Sequence, residues 1–380
     1  MVKVSLEPYF QLENLAFCEG EATGLINDFQ FALQKACRRQ GDELLVDIES
    51  AAKLLAPEFT VKKDGTETVF ENGEKEVRLT VREEDEEGCI PLLKILTEHF
   101  GWSRKREIYR GKLLVKAAKK AEFRMDVISL FYQVQQTQGI LKKAFYLEEA
   151  NAMIAYRLYV PVRPADGAKR KLALIVHGLG GGNVFDRANN KLAHMGEKYG
   201  YLILAPLAYT NGMHGSTYPM ARDFVDAESI DPENPAGLTE EERKIYSWCE
   251  LADMRALEEV KRDYDVDEAN IFLGGNSMGG DGSFYLASRY PEMFRAVAPC
   301  AGGPDFRFYP MERLKDLPVR VLCGTEDAGY FLLQDMTRQL QEIGVSAEFV
   351  GVGGEPHGNA WLHELEGMFR FFEAHAASRR

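Results

Sequence analysis

The sequence predicts an α/β protein: a mostly parallel sheet with helices on both faces, preceded by a smaller α+β domain. Three observations carry this. From about residue 139 onward, short and nearly continuous apolar runs alternate with segments of helical periodicity. Runs of that kind are buried on both faces, as strands are in a parallel sheet covered by helices. Glycines cluster where several of these runs end, at "VHGLGGGN", "LGGNSMGG", "CAGG" and "VGVGG". The region before residue 120 differs: it is charged and lacks glycine-rich turns at its strand ends. With 380 residues, the chain is long enough for two domains. The expected division is an N-terminal domain over 1–120, a connecting helix over 121–138, and the larger α/β domain over 139–380.

The N-terminal part carries a weak internal repeat. "LLVDIESAAKLLAPEFTVKKDG" (44–65) reads as strand, helix, strand and turn, and "CIPLLKILTEHFGWSRKREIYRG" (89–111) repeats that order. Apolar residues recur at helical spacing in both, at Ile48, Ala51, Ala52 and Leu55, then at Leu92, Leu93, Leu96 and Phe100. Gly101 closes the second helix as a C′ glycine. "TETVF" and "EVRLTV" alternate as half-buried strands, and the acidic run "REEDEEG" (82–88) reads as a solvated loop. On "LLVDIESAAKLL", "ENGEKEVRLTV" and "CIPLLKILTEHFGW", residues 43–117 resemble the copper amine oxidase N-terminal-like (stalk) domain. The N-terminal part is expected to serve as an interaction or dimerisation module, through which the chain could form a homo-oligomer. The resemblance does not imply copper, because His99 is the segment's only histidine.

Composition narrows the function. A net charge of −13 argues against nucleic acid as partner, since phosphate binding needs a basic footprint. No apolar stretch is long enough to span a bilayer, so no membrane partner is expected. The start, MVKVSLEPYF, lacks the pattern of a signal peptide, and a cytoplasmic location is expected. The six cysteines form no CxxC pair, which fits free thiols and neither a disulfide framework nor a zinc site.

In the larger domain the predicted strands are "KKAFYLE" with "MIAYRLYVPV", then "KLALIVHG", "YLILAPLAY", "ANIFLGGNS", "AVAPCAGG", "VRVLCGTED" and "SAEFVGVGG". The predicted helices between and after them are "KLAHMGEKYG", "ADMRALEEVKRDY", "GSFYLASRYP", "LLQDMTRQLQEIG" and "LHELEGMFRFFEAH". Sites in such sheets lie beyond the carboxyl ends of the strands. Gly275-Asn276-Ser277-Met278-Gly279 fits G-x-S-x-G in that position, after a strand and before a helix. A turn this tight requires Gly275 and Gly279 where side chains would clash, and it presents the Ser277 hydroxyl at a helix N-terminus that favours negative charge.

A serine nucleophile needs a base, and His357 stands in the loop after the last strand. His214, in "TNGMHGSTYPM", is the rival, but it precedes the serine, the wrong order for this arrangement. His99, His194, His363 and His375 sit in helical or terminal contexts. The imidazole needs an orienting carboxylate. Asp327, ending "VRVLCGTED", is favoured over Glu326 beside it and over Asp305 in "CAGGPDF"; Asp281 and Asp335 read as helix surface residues. "IVHGLGGGN" (175–183) is an oxyanion-hole turn in which Leu179, or else Gly178 or Gly180, would supply one amide and Met278 the other. Neither a P-loop nor a dinucleotide fingerprint is present.

Residues 139–380 resemble the α/β-hydrolases. Within that fold they are similar to the esterase group of feruloyl and acetyl-xylan esterases and polyhydroxybutyrate depolymerase-like proteins. The likeness rests on "AYRLYVPV", "ALIVHGLGGGN", "DEANIFLGGNSMGGDGSFYLASRYPEMFRAVAPCAGG", "VRVLCGTED" and "GGEPHGNAW". It implies an α/β-hydrolase fold, a Ser277–His357–Asp327 triad, a small or aromatic ester as substrate, and neither metal nor organic cofactor. The alternatives are a prolyl-oligopeptidase-like peptidase, for which ~120 N-terminal residues are too few to build a propeller, and a noncatalytic hydrolase-fold scaffold. Residues 210–250 form a long connection expected to border the site as a small lid. Tyr218, Phe224, Tyr246 and Trp248 there, with Tyr209 just before it and His177 and Asn276 beside the two turns, are candidates for the substrate pocket.

Overall fold

A computed structural model describes residues 8–80, 88–120, 125–163, 169–180, 184–188, 190–210, 214, 238–303 and 310–377. The chain separates into two compact units. One is built from Phe10–Thr137 with Leu141–Ala155, the other mainly from Tyr156–Arg380 with Gln138–Ile140.

The first unit opens with three short strands, β1 (Asn14–Cys18), β2 (Thr23–Ile26) and β3 (Phe29–Ala32). The repeated segments follow. β4 (Arg38–Gln40), β5 (Glu43–Asp47), α1 (Ile48–Leu55) and β6 (Thr60–Asp64) lead to the hairpin strands β7 (Glu67–Glu71) and β8 (Glu76–Thr80). Next come β9 (Cys89–Ile90), α2 (Leu92–Phe100), β10 (Ser103–Tyr109) and β11 (Lys112–Ala118). Strand–helix–strand order thus recurs as β5–α1–β6 and β9–α2–β10. Asp47 caps α1 by accepting from the Ser50 N–H, and Gly101 ends α2 in the left-handed conformation.

The segment read as a connecting helix belongs to this unit instead. Helix α3 (Val127–Gln135) buries Leu130, Phe131 and Val134 against Ala16, Cys18, Leu25 and Leu114. Those apolar residues at helical spacing find their partners on β1, β2 and β11, so the helix packs as a component of the fold. The strand β12 (Gly139–Leu147) likewise pairs with β3, Lys143 opposite Gln30. The boundary therefore falls inside the next strand, β13 (Ala152–Val160), later than residue 139.

The second unit continues through β14 (Arg170–Val176), α4 (Val184–Arg187), α5 (Lys191–Tyr199), β15 (Tyr201–Pro206), α6 (Glu240–Asp263), β16 (Val266–Asn276) and α7 (Met278–Arg289). It ends with β17 (Ala296–Cys300), β18 (Val319–Gly324), α8 (Tyr330–Glu342), β19 (Ala347–Val352), α9 (Ala360–His363) and α10 (Leu365–His375). Its strands lie in the order β13–β15–β14–β16–β17–β18–β19. β13 is antiparallel to β15, and every later pairing is parallel. This is the α/β-hydrolase fold. After β14 the chain goes to β15 on one side and then returns to β16 on the other. The carboxyl ends of β14 and β16 therefore flank the point where strand order reverses, where such sheets place their sites.

Burial follows the apolar runs: β15 and β17 are buried at every residue. One face of the sheet packs on α10, where Phe272 stacks on Phe372 at 4.9 Å between centroids and the Tyr201 hydroxyl donates to Glu373 at 2.7 Å. Helix α6 begins earlier than its apolar spacing predicted. Thr239 and Glu242 form a capping box that starts the helix at Glu240, so the end of the expected lid segment is ordinary helix.

Candidate active site

The elbow sits at the end of β16. Ser277 has φ 59° and ψ −123°, a conformation that costs a non-glycine residue about 1–3 kcal/mol. Three hydrogen bonds hold it. The Ser277 N–H donates to Cys300 O at 2.8 Å, and Ser277 O accepts from the amides of Gly280 and Asp281 at 2.8 and 3.1 Å. The flanking glycines are required by close approach. A Cβ at Gly275 would lie 2.4 Å from Gly279 O, and one at Gly279 would lie 2.3 Å from Val176 O. Both obstacles are backbone and cannot turn aside. Gly279→Ala is expected to destabilise the fold by about 2–4 kcal/mol. Urea unfolding followed by circular dichroism reads this directly, and an unchanged midpoint would contradict the close approach.

The candidate base and acid arrive on two loops tied together. The loop after β19 carries His357, and the turn after β18 carries Asp327. The Glu326 N–H donates to Glu355 O at 3.1 Å, and the Gly354 N–H donates to Thr325 Oγ1 at 2.8 Å. Across this junction His357 Nδ1 lies 2.7 Å from Asp327 Oδ2, and Nε2 lies 2.9 Å from Ser277 Oγ. The other carboxylate oxygen, Asp327 Oδ1, accepts from the Gly329 N–H at 2.8 Å. The Asp327 side chain is 6% exposed and that of His357 is 55% exposed, so the carboxylate is sheltered and the imidazole is reachable from solvent. Glu326 is exposed and contributes its backbone to the loop junction. Asp305 lies outside the described residues. Cys323, beneath Asp327, keeps its proton: burial first, and then the nearby carboxylate, push the thiol up to about 12.

The turn after β14 lies against the serine. A Cβ on Gly178 would be 3.4 Å from Ser277 Cβ and 3.1 Å from Asn276 O. Leu179 is half-buried, and Gly180 is exposed with φ +82°. Met278 is buried and opens α7, where the first amides of a helix have no partner within it. Beside the serine is a cavity of about 290 Å³, walled by Gly178, Asn276, Gly358, Val184 and Trp361 among others.

Other candidates are placed differently. His177 is 2% exposed, with its ring nitrogens 2.9 Å from Gly178 O and 3.4 Å from Leu207 O, so it supports the turn and does not form a pocket wall. Tyr209 is buried, and its ring packs edge-on against Trp248 at 5.0 Å; Tyr246 is buried as well. These aromatics anchor α6. Tyr218 and Phe224 lie outside the described residues, as does most of 210–250. His214 is fully buried, bonded to Asp253 at 2.8 Å, and takes no part in the Ser277–His357 contact. Asp253 was not singled out in the sequence, although a signal existed. It interrupts the buried stripe Cys249, Ala252, Ala256, Leu257 and Val260, where a carboxylate needs a partner. Among the described residues, no group of three or more His, Cys, Asp or Glu could hold a metal ion.

Asp281 is not the surface residue that helical spacing suggested. It is half-buried on the first turn of α7, Oδ1 has no hydrogen-bond partner among the described residues, and burial pushes the carboxyl up to about 7. The unfolded chain releases this proton near pH 4, whereas the folded chain holds it until about pH 7. Stability from this group therefore falls as pH rises through that window. Asp281→Asn is expected to leave stability unchanged at pH 4 and to raise it at pH 8, on the order of 2 kcal/mol after allowance for partial exposure. Melting curves at both values check this, and an equal effect at both would contradict it.

No protein-family model and no curated protein sequence matches the chain. Solved structures similar to it include an S-formylglutathione hydrolase (FrmB) from Staphylococcus aureus, at 14% identity and TM-score 0.45 over 62% of this chain and 99% of that one. A ferulic acid esterase is similar at 15% identity and TM-score 0.47, covering 64% of this chain and 100% of that one. A thermostable esterase covers 90% of this chain and 98% of its own, at 17% identity and TM-score 0.47. The fold assignment rests on the strand order and the elbow described above.

Proposed function

We propose that the protein is a serine ester hydrolase that works through an acyl-enzyme on Ser277. The observation that carries the reading is the continuous hydrogen-bonded line Asp327–His357–Ser277, ending at a strained elbow on a helix N-terminus. Asp327 accepts from His357 Nδ1–H, which leaves the Nε2 lone pair facing the serine hydroxyl. Ser277 Oγ attacks the ester carbonyl as His357 takes its proton. The oxyanion lies against the amides of Met278 and the turn at Leu179 or Gly178, each such donor being worth about 3 kcal/mol in the transition state. His357 then gives the proton to the departing alkoxide as the C–O bond breaks. Water, deprotonated by the same ring, attacks the acyl-enzyme; the acid leaves and Ser277 regains its proton.

The substrate class is a short-chain or aromatic acyl ester. Two points support it: the cavity of about 290 Å³ lies at the small end of ligand pockets, and the G-x-S-M-G-G and "RYPEMF" stretches resemble feruloyl and acetyl-xylan esterases. The test is hydrolysis of p-nitrophenyl acetate, butyrate and octanoate beside methyl ferulate. Turnover of acetate, butyrate or ferulate well above octanoate is expected. A preference for octanoate would overturn the substrate class, and no turnover of any ester would overturn the function.

A further inference from the structure

We propose that His214 and Asp253 are a positioning pair that sets the direction of the oxyanion-turn amides. The proposal rests on the reading of Ser277 as the acyl carrier. Both side chains are fully buried. His214 Nδ1 lies 2.8 Å from Asp253 Oδ2, and Nε2 lies 2.9 Å from the His177 carbonyl oxygen. Both ring nitrogens thus face acceptors. One proton lies between Nδ1 and Oδ2, and whichever atom holds it, Nε2–H remains to donate to His177 O. Neither side chain reaches solvent, and an unpaired charge there would be costly. Without Asp253 the ring could place its single proton on Nδ1 and turn a lone pair toward the carbonyl.

That carbonyl is the lever. In a trans peptide the C=O of one residue and the N–H of the next point in opposite directions. By holding His177 C=O inward, His214 turns the Gly178 N–H outward. The next peptide is held in the same way: His177 Nδ1 contacts Gly178 O at 2.9 Å, which directs the Leu179 N–H. The two rings meet edge-on at 4.4 Å, so they brace each other. Helix α7 leaves room for this arrangement, because a Cβ at Gly282 would lie 2.7 Å from His214 Cβ. Consecutive amides beside Ser277 are thereby fixed from beneath before any substrate arrives, and preorganised donors are worth more than donors that must reorient.

The test compares two double variants that leave no buried charge. In His214→Gln with Asp253→Asn, the Gln amide replaces the Nε2–H donor to His177 O. In His214→Leu with Asp253→Asn, the donor is gone. The first is expected to keep kcat for p-nitrophenyl acetate within about threefold of wild type, and the second to lose about 10–100-fold with KM little changed. Equal kcat in the two would overturn the proposal. Spectra of protein labelled with ¹⁵N-glycine and ¹⁵N-leucine give a readout independent of turnover. The Gly178 and Leu179 amide signals should move in the Leu variant and stay in the Gln variant; superimposable signals would overturn the proposal. If wild type shows no Ser277-dependent turnover, the ester-hydrolase reading fails, and these signals still decide the role of the pair. Should the double variants not fold, His214→Asn keeps the Asp253 bond and drops the one to His177. Wild-type kcat and unmoved amide signals in that variant would likewise overturn the proposal.

Discussion

Ser277→Ala is expected to lower kcat for p-nitrophenyl acetate by about 10⁴–10⁶-fold while leaving the melting temperature almost unchanged. The size follows from what is removed. Without Oγ no acyl-enzyme forms, and His357 keeps its bond to Asp327 but has no hydroxyl to activate. Residual rate would come only from a water placed near the oxyanion donors. The fold should tolerate the change because the elbow is held by backbone: Ser277 N–H on Cys300 O, and Ser277 O on the amides of Gly280 and Asp281. Alanine keeps all three bonds. Melting curves report the stability, and a fluorophosphonate probe reports the nucleophile: it should label wild type and spare the variant. Labelling of the variant, or its full activity, would remove Ser277 from the mechanism.

Asp327→Asn is expected to lower kcat by about 10⁴-fold, and Glu326→Gln by less than about threefold. The contrast is sharp because the two residues are adjacent in sequence. Asp327 Oδ2 faces His357 Nδ1 at 2.7 Å, and its side chain is 6% exposed. An Asn amide there can present N–H to the ring, which forces the proton to Nε2 and leaves no lone pair for the serine. Glu326 projects into solvent and contributes its amide to Glu355 O, which Gln preserves. Steady-state kinetics on both variants decides the matter. The reverse order of effects would move the acid by one residue.

Much of this arrangement is legible in the sequence. G-x-S-x-G between an apolar run and a helical run has few structural solutions, because Gly275 and Gly279 are needed only where backbone passes within 2.4 Å of where a side chain would begin. Strand ends after "VRVLCG" and "VGVGG" placed Asp327 and His357 near the same edge by topology alone. The polar residues beneath the site were less legible. His214 looked like a rival base and Asp253 like part of a helix, and neither assignment includes their bond, since 39 residues separate them. Asp281 read as surface because helical spacing gives a direction around the axis and says nothing of what packs there. Tyr209 and Trp248 read as pocket walls because aromatics in a long connection serve equally well as anchors.

The order of strands and helices, the turn that requires glycine, and the residue types at the strand ends were determined by the sequence itself, because these depend on local periodicity, steric limits and chain direction. The tertiary structure alone decided the placement of the unit boundary inside β13, the 2.7 Å contact that joins Asp327 to His357, and the burial of His177, His214 and Asp253 by the turn after β14. Each of these depends on which surfaces meet across long separations. Burial then determines whether a polar side chain is solvated, paired or raised in pKa, and no local pattern contains that information.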